Sequence, residues 1–334
     1  MNEPKASPAS EAPADRVAGS GVPAGIGISP GTWALLTLLG IIWGGSFFFG
    51  RIAVQQVPPL TIAFLRLAIA AIALHLYLHG QQGVYAALRA RAPAFFLIGL
   101  VNNAVPHTLI LMGQTQIGAG LAAILNATTP IWTVLIANVW TADEKLTARK
   151  LAGTLLGLAG TVLLVGPAAI ADLFGGDHAV PLWALLLPIG AAISYGISNT
   201  FGRRFSDLPP TVTATGQLTA SSLLVLPVAL AVDQPWTLPM PTGAAIVSIL
   251  ALALLSTAFA YILFFRIMAR AGATNTSLVT LLVPPSAILL GVLFLGETLS
   301  LVDAAGMLVI ALGLVMLDGR LPKRIMASLS RQTA

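Results

Sequence analysis

The sequence has no cysteine and very little charge. The absence of cysteine excludes disulfide bonds, thiolate metal sites and thiol catalysis. Charged residues make up 9% of the 334 residues, whereas soluble domains carry about 25%. A chain of this composition cannot cover a surface that faces water. Because 57% of the residues are hydrophobic, the composition predicts a protein that crosses a membrane several times.

Acidic residues are absent from the middle of every apolar run. Proton-coupled antiporters often use a buried carboxylate whose protonation competes with substrate. The titratable side chains that remain are His107 in the third apolar run, and His75 and His79 near the end of the second. The sequence therefore predicts a facilitator or a weakly proton-linked transporter, and leaves the choice between them open.

Apolar runs long enough to cross a bilayer, about 17–25 residues each, occur at ten places. The runs are too long for the strands of a membrane barrel, which need only about 9–11 residues. The predicted fold is therefore an all-α membrane protein with ten transmembrane helices. These predicted spans are 32–54, 60–79, 93–112, 118–140, 148–165, 181–201, 211–231, 242–265, 273–295 and 301–317.

The two halves of the chain carry the same pattern. Glu144, Leu146, Thr147, Gly153 and Gly160 recur 153 residues later as Glu297, Leu299, Ser300, Gly306 and Gly313. Proline also interrupts both apolar runs upstream, at Pro130 and at Pro284. Because each half contains an odd number of spans, the second enters the membrane in the opposite orientation. Inverted repeats of this kind are typical of secondary transporters that work by alternating access.

The distribution of lysine and arginine predicts the orientation of the chain in the membrane and the side on which its termini lie. They cluster in the loops after the second, fourth, sixth and eighth spans and in the last residues, whereas the opposite loops hold only Arg51. By the positive-inside rule, both termini are cytoplasmic.

The predicted units are a disordered tail (1–31), a first repeat (32–165), a linker (166–180), a second repeat (181–317) and a basic tail (318–334).

The motif that begins at Trp43 (WGGSFFFGRIAV), the prolines at 58–59, the arginine at 66 and the two Glu-x-Leu tails together resemble EamA-type members of the drug/metabolite transporter superfamily. The resemblance extends over nearly the whole chain after residue 31. It implies ten helices in two inverted repeats around a central cavity, in a bacterial inner membrane. It also implies transport of small metabolites, often export of amino acids or related compounds.

Polar side chains near the middle of a span are expensive in lipid, so they are candidates to line a transport path. Amides and hydroxyls would bind the polar groups of a substrate, and aromatic rings would pack against its apolar part. The predicted substrate-binding residues are Trp43, Ser46, Asn102, Asn103, His107, Thr128, Thr129, Tyr195, Ser198, Thr257, Tyr261 and Ser286. The predicted gating or structural residues are Arg66, Pro130, Pro284, Glu144 and Glu297.

Several of these residues have a plain structural alternative. Serine and threonine commonly bond the backbone of their own helix. The two prolines are equally typical of a kink that serves packing. Arg66 is suited to a substrate carboxylate, to helix carbonyls or to the membrane surface. Glu144 and Glu297 lie at matching helix ends, which favours helix capping or contacts between helices at two gates.

Alternative functions remain open at this stage. An uptake carrier or a multidrug carrier of the same fold fits the same pattern, since direction and substrate are not encoded in it. A membrane-embedded enzyme would need an organised set of acid, base or nucleophile residues, which the loops do not offer. A channel would need charged rings or a filter. No cofactor, metal or nucleic acid is expected; the expected partners are the lipid bilayer and a small-molecule substrate, with homo-oligomers left open.

Overall fold

The computed structural model describes residues 29–140, 147–172, 180–201, 208–264, 266–267, 270 and 279–318. In these residues the regular structure is entirely helical. The α-helices are α1 Pro30–Ala53, α2 Pro59–Tyr77, α3 Val84–Ala90, α4 Ala92–Gly99, α5 Val105–Gln114, α6 Ala119–Asn126, α7 Thr129–Trp140, α8 Ala148–Asp172, α9 Leu182–Phe201, α10 Pro210–Val232, α11 Gly243–Leu250, α12 Val279–Leu295 and α13 Leu301–Asp318.

Seven helical segments are long and apolar enough to cross a membrane. They are Pro30–Ala53, Pro59–Tyr77, Ala92–Gln114, Ala119–Trp140, Leu182–Phe201, Pro210–Val232 and Gly243–Phe264. Two shorter apolar helices, Leu282–Leu295 and Ala304–Gly313, coincide with the last two predicted spans. The all-helical membrane fold is thus confirmed, while the number of ten spans stays a prediction. Helix α8 covers the fifth predicted span and continues into the predicted linker as far as Asp172.

Paired prolines start one helix in each half. Pro58 is the N-cap of α2 and Pro59 its first residue. In the same way, Pro209 is the N-cap of α10 and Pro210 its first residue. Proline suits this position because its missing N–H would have no partner inside the helix. The prolines therefore fix corresponding helix starts in the two halves.

The third and eighth predicted spans each contain a π-helical segment. In the first half, Leu100–Ala104 joins α4 to α5. In the second half, Ala251–Phe259 follows α11 directly. A π segment widens the helix, changes the direction of its side chains and is frequent at functional sites. Both segments lie at mid-span, where the sequence places its polar candidates.

The prolines in the duplicated fourth and ninth spans act differently, contrary to the predicted matching interruptions. Pro130 is the second residue of α7, after a break that follows α6. Pro284 lies inside the continuous helix α12. The hydroxyls of Thr128 and Thr129 donate to Leu125 O and Asn126 O, both at 2.7 Å, and so bind carbonyls at the end of α6. The residues before Pro284 are Leu282 and Val283, which have no hydroxyl to do this.

Helices of one half pack mainly against helices of the other. Helix α1 packs against α12, and α8 packs against α13. Helix α2 contacts the π segment of the second half, while α10 contacts α4 and the π segment of the first half. The second span of each half therefore packs against the third span of the other half. This exchange places the polar middles of both π segments at the interface between the halves.

Glycines of α1 and α13 allow close contacts between helices of this chain. A Cβ on Gly40 would lie 2.5 Å from Cβ of Leu282, and a Cβ on Gly44 would lie 2.5 Å from Cβ of Ser286. Glycine is needed here because α1 and α12 approach so closely. A Cβ on Gly313 would likewise lie 2.7 Å from the Gly157 nitrogen, where α13 meets α8. Small residues of this kind allow close helix packing in a membrane.

Candidate functional site

A cluster of polar side chains lies where the halves meet, and we refer to it as the central cluster. Two helical regions of the first half and three of the second contribute to it. Its members are Arg66 of α2, Asn102 and Asn103 of the first π segment, Gln217 of α10, Thr257 of the second π segment and Tyr261 just beyond it. Hydrogen bonds between the halves connect these residues.

Arg66 connects α2 to the second π segment. Its Nε donates to Oγ1 of Thr257 at 2.8 Å, and the hydroxyl of Thr257 donates to Leu252 O at 2.8 Å. The Arg66 side chain is 8% exposed although it is the eighth residue of α2. At 1.5 Å per residue, Arg66 lies about 10 Å from the start of that helix. Arg66 therefore directs a buried positive charge toward the second half.

The two asparagines connect the first π segment to the second half. Nδ2 of Asn102 donates to Oε1 of Gln217 at 2.8 Å and approaches the Tyr261 hydroxyl at 3.4 Å. The Tyr261 hydroxyl donates to Oδ1 of Asn103 at 3.0 Å. Both asparagines, which the sequence singled out as an adjacent pair, thus contact the same opposite surface. The π segment permits this because it changes the angle between successive side chains.

Further predicted residues surround the central cluster. His107 is 6% exposed, and it lies with Tyr195 within electrostatic range of the Arg66 guanidinium. Trp43 lies at the edge of two apolar cores, where its ring packs on Phe264 with centroids 5.6 Å apart. Tyr195 thus lies near the charge of the cluster, whereas Trp43 belongs to the neighbouring apolar cores; their role in substrate binding stays a prediction.

Serine hydroxyls hold the π segments in place. Ser194 donates to Val101 O at 2.7 Å, next to Asn102. Ser256 donates to Ile42 O at 3.1 Å, and Ser221 donates to Gly99 O at 3.0 Å. These bonds join each π segment to a helix from the opposite half. They satisfy carbonyls and orient the cluster without belonging to it.

Other predicted residues lie outside the central cluster. The hydroxyl of Ser286 donates to Leu282 O at 2.8 Å, and those of Thr128 and Thr129 bond the end of α6, so all three serve backbone of their own span. Among the described residues, Ser46 and Ser198 make no hydrogen bond to the central cluster. Glu144 lies outside the described residues. The substrate-binding role of the five hydroxyl residues stays a prediction, as does the gating or structural role of Glu144.

Gln217 belongs to the central cluster although it was not among the predicted binding residues. It lies 151 residues after Arg66, the same offset that separates the paired prolines of α2 and α10. This shared offset is the sequence signal that could have identified Gln217, because it places Gln217 on α10 at the position that corresponds to Arg66 on α2. The two differ chemically, so the cluster carries a charge on one side only.

A second polar arrangement lies at the end of the bundle where α1 ends, which we call the Arg51 end. The carboxylate of Glu297 accepts from the N–H groups of Ala119 and Gly120, at 2.6 Å and 3.1 Å. It therefore caps α6, where a negative charge is favourable for the helix dipole. Asp233 caps α2 through one oxygen, Oδ2, which accepts from the backbone N–H and the hydroxyl of Thr61.

A cleft of about 570 Å³ opens beside this cap. Arg51, Gly118, Leu121, Ile288 and Glu297 are among its lining residues. Arg51 donates to Gln114 O and so joins the end of α1 to the end of α5. The Arg51 end is thus held by contacts of helix termini with charged side chains. Within the described residues, no three His, Asp or Glu side chains are grouped as a metal site would require.

Comparison with protein families gives a match in each half of the chain. The model of the EamA-like transporter family matches residues 31–166 and 182–317. The two matches coincide with the halves between which the central cluster lies. A solved crystal structure of a chain 20% identical in sequence aligns with a TM-score of 0.61, covering 87% of this chain and 98% of the other. The helical arrangement is thus one already observed by experiment.

Three relatives illustrate the sequence similarity. The uncharacterized inner membrane transporter YedA of Escherichia coli K12 is 31% identical over 84% of this chain and 89% of its own length. A probable amino-acid metabolite efflux pump of Salmonella typhimurium is 24% identical over 84% and 92%. A probable terminal-alkyne amino-acid exporter of Streptantibioticus cattleyicolor is 27% identical over 81% and 87%.

Proposed function

Because the chain belongs to the EamA-like transporter family, it is a membrane transporter rather than an enzyme, and we propose that it exports amino acids or related amphipathic metabolites through the central cluster. The observation that carries this proposal is the position of the cluster. Buried polar groups from both halves meet at mid-span, where inverted-repeat transporters bind their substrates.

The chemistry of the cluster supports an amphipathic substrate. Asn102, Gln217 and Tyr261 offer amide and hydroxyl groups, and Arg66 offers a positive charge. The ring of Trp43 and the neighbouring apolar cores offer surface for a side chain. The relatives named as amino-acid exporters favour the same class of compound. A multidrug carrier would be expected to present a larger apolar surface with fewer committed hydrogen bonds.

Alternating access is the mechanism that the exchanged helix packing favours. Each half contributes one π segment and the helix that packs on the opposite π segment. A rotation of one half against the other would therefore break the bonds of Arg66 and Asn102 together and open the cluster. By the positive-inside prediction the Arg51 end faces outward, and the caps at Glu297 and Asp233 then lie at the outer gate.

Transport by purified protein in liposomes tests this proposal. We expect Asn102→Ala to reduce counterflow of labelled amino acids about 5-fold to 100-fold, because it removes a bond and leaves Gln217 without its donor. The matched control is Asn199→Ala, which affects an exposed asparagine on α9. Equal counterflow by both variants at equal protein content would contradict a substrate path through the central cluster.

A further inference from the structure

Within the part of the chain that the structure describes, no acidic side chain forms an ion pair with Arg66. Among the described residues, its guanidinium makes one hydrogen bond, from Nε to Thr257. The acidic residues that the structure describes all lie at helix ends or in the loop before α13, and none lies in the middle of a span. An unpaired buried cation is strongly unfavourable. The site therefore favours an anionic group brought by something other than these residues.

Two further buried polar atoms, both on the third predicted span, lack partners within the described residues. Nδ2 of Asn103 and Nδ1 of His107 are buried and make no hydrogen bond. Asn103 is fully buried and already accepts from Tyr261 through Oδ1, so what remains is a donor. His107 follows four residues later and lies within electrostatic range of Arg66. The guanidinium and the amide are donors, and the imidazole can act as a third.

A carboxylate matches this set of groups. It has two oxygens that accept several hydrogen bonds, and bonds between charged partners are about twice as strong as neutral ones. The amide oxygens of Gln217 and Asn103 each accept one hydrogen bond, from Asn102 and Tyr261, whereas Nδ2 of Asn103 and Nδ1 of His107 have no partner among the described residues. The groups without a partner are therefore a donor, Nδ2 of Asn103, and a nitrogen that can donate, Nδ1 of His107, and both suit an anion.

From these groups we propose that the central cluster recognises its substrate by a carboxylate held between Arg66, Asn103 and His107, and that an α-amino group is not required. Organic acids and N-acylated amino acids then belong to the substrate class together with amino acids. Amines and amino-acid amides do not. This inference rests on the proposed function, since it assumes that the central cluster is the substrate site.

Thermal unfolding of the purified full-length protein with matched ligands tests the inference. The first probe is L-leucine. The second, 4-methylpentanoate, keeps the carboxylate and lacks the amino group, and the third, L-leucinamide, keeps the amino group and lacks the carboxylate. The corresponding three compounds built on phenylalanine form a second series. A ligand that binds the folded state raises the melting temperature. We expect a rise with both carboxylate-bearing members of at least one series and none with either amide. Absence of any rise with the carboxylates, or an equal rise with the amides, would overturn the inference.

Substitutions of Arg66 test whether the carboxylate binds at the assigned site. We expect Arg66→Gln to weaken carboxylate binding about 10-fold to 100-fold, as loss of bonds to a charged group does. Arg66→Lys keeps the charge and should retain weaker binding, which separates loss of charge from loss of fold. The matched control is Arg89→Gln, at an exposed arginine of α3. Carboxylate binding that is unchanged in Arg66→Gln would contradict the assigned site.

A negative charge introduced at Asn103 provides an independent test of ligand preference. Asn103→Asp keeps the acceptor for Tyr261 and replaces the unpartnered amide nitrogen by an anionic oxygen beside Arg66. We expect this variant to lose binding of 4-methylpentanoate and to favour L-leucinamide.

Inorganic phosphate tests whether the site is specific for a carboxylate. If phosphate alone raised the melting temperature as much as the carboxylates do, and this rise depended on Arg66, the assignment to a carboxylate would be contradicted.

The two proposals fail in different ways. If Asn102→Ala abolishes counterflow but amides bind as well as carboxylates, the transport path stands and the carboxylate anchor is wrong. If carboxylates bind through Arg66 but counterflow is indifferent to Asn102, the anion site exists and the transport path is wrong.

Discussion

Glu297 and Asp233 cap two helices in chemically different ways, and the difference predicts the effect of neutralising each one. Glu297 uses both carboxylate oxygens, Oε1 for the N–H of Ala119 and Oε2 for that of Gly120. Asp233 uses Oδ2 alone, which accepts from N and Oγ1 of Thr61 at 2.7 Å and 2.9 Å. Asp233→Asn therefore keeps an oxygen for both bonds. Glu297→Gln has to place an NH2 group against a backbone N–H.

The expected losses of stability follow from this count of bonds. Asp233→Asn removes only the interaction of a charge with a helix dipole, about 0.3–1 kcal/mol. Glu297→Gln removes that interaction and also one hydrogen bond to a charged acceptor, about 1.5–3 kcal/mol. The second loss is thus about 2–4 kcal/mol. The glycines around Glu297 offer little room for another rotamer, since a Cβ on Gly118 would lie 2.7 Å from its Cδ.

Thermal unfolding of the full-length protein in detergent measures the difference, with the fluorescence of its six tryptophans as the signal. At about 2–4 °C per kcal/mol, we expect Glu297→Gln to lower the melting temperature by about 4–16 °C and Asp233→Asn by about 1–4 °C. Each variant is the control for the other, because both remove one carboxylate at the same end of the bundle. Equal shifts, or a larger shift for Asp233→Asn, would refute the reasoning from oxygen usage.

Two further predictions concern packing and coupling. Gly44→Ala should destabilise the protein by about 1–3 kcal/mol, because its Cβ would lie 2.5 Å from Cβ of Ser286. The control Gly31→Ala, with no atom within 4 Å of its Cβ, should be neutral or stabilising by up to about 1 kcal/mol, and melting curves that do not separate the two would contradict the close contact of α1 with α12. Substrate flux in liposomes should be unchanged when the pH gradient is collapsed, since the described acidic residues avoid the middle of the spans; strict dependence on the gradient would contradict a facilitator.

The helices could be predicted because a segment that crosses a bilayer needs a long run of apolar residues, which is visible in the sequence. Apolar runs of sufficient length, broken by short loops, give the positions of spans without any tertiary information. The π segments could not be predicted in this way. Pro106 follows the first of them, but Ala251–Phe259 contains no proline and reads as an ordinary apolar helix. A change in helix pitch depends on contacts with neighbouring helices, which periodicity does not encode.

The membership of the site was predictable in part for a related reason. Asn102, Asn103 and Tyr261 were identified because amide and phenol groups are unfavourable in lipid unless they have partners. The same argument selected Ser286 and Thr128, which bond carbonyls of their own span and need no other partner. The hydroxyls of Ser286 and Thr128 bond their own backbone, whereas the amide of Asn102 bonds a side chain of the other half. Gln217 has the longer side chain, and only the pairing of helices between the halves reveals its partner.

The bonds of the central cluster join parts of the chain that are synthesised far apart in time. Arg66 and Thr257 are separated by 191 residues, and Asn102 and Gln217 by 115. At about 5–20 residues per second, the ribosome needs roughly 10–40 s to proceed from Arg66 to Thr257. During that interval α2 enters the membrane before the hydroxyl that receives its guanidinium exists. The bond between Arg66 and Thr257 therefore forms only after more than half of the second repeat has been synthesised.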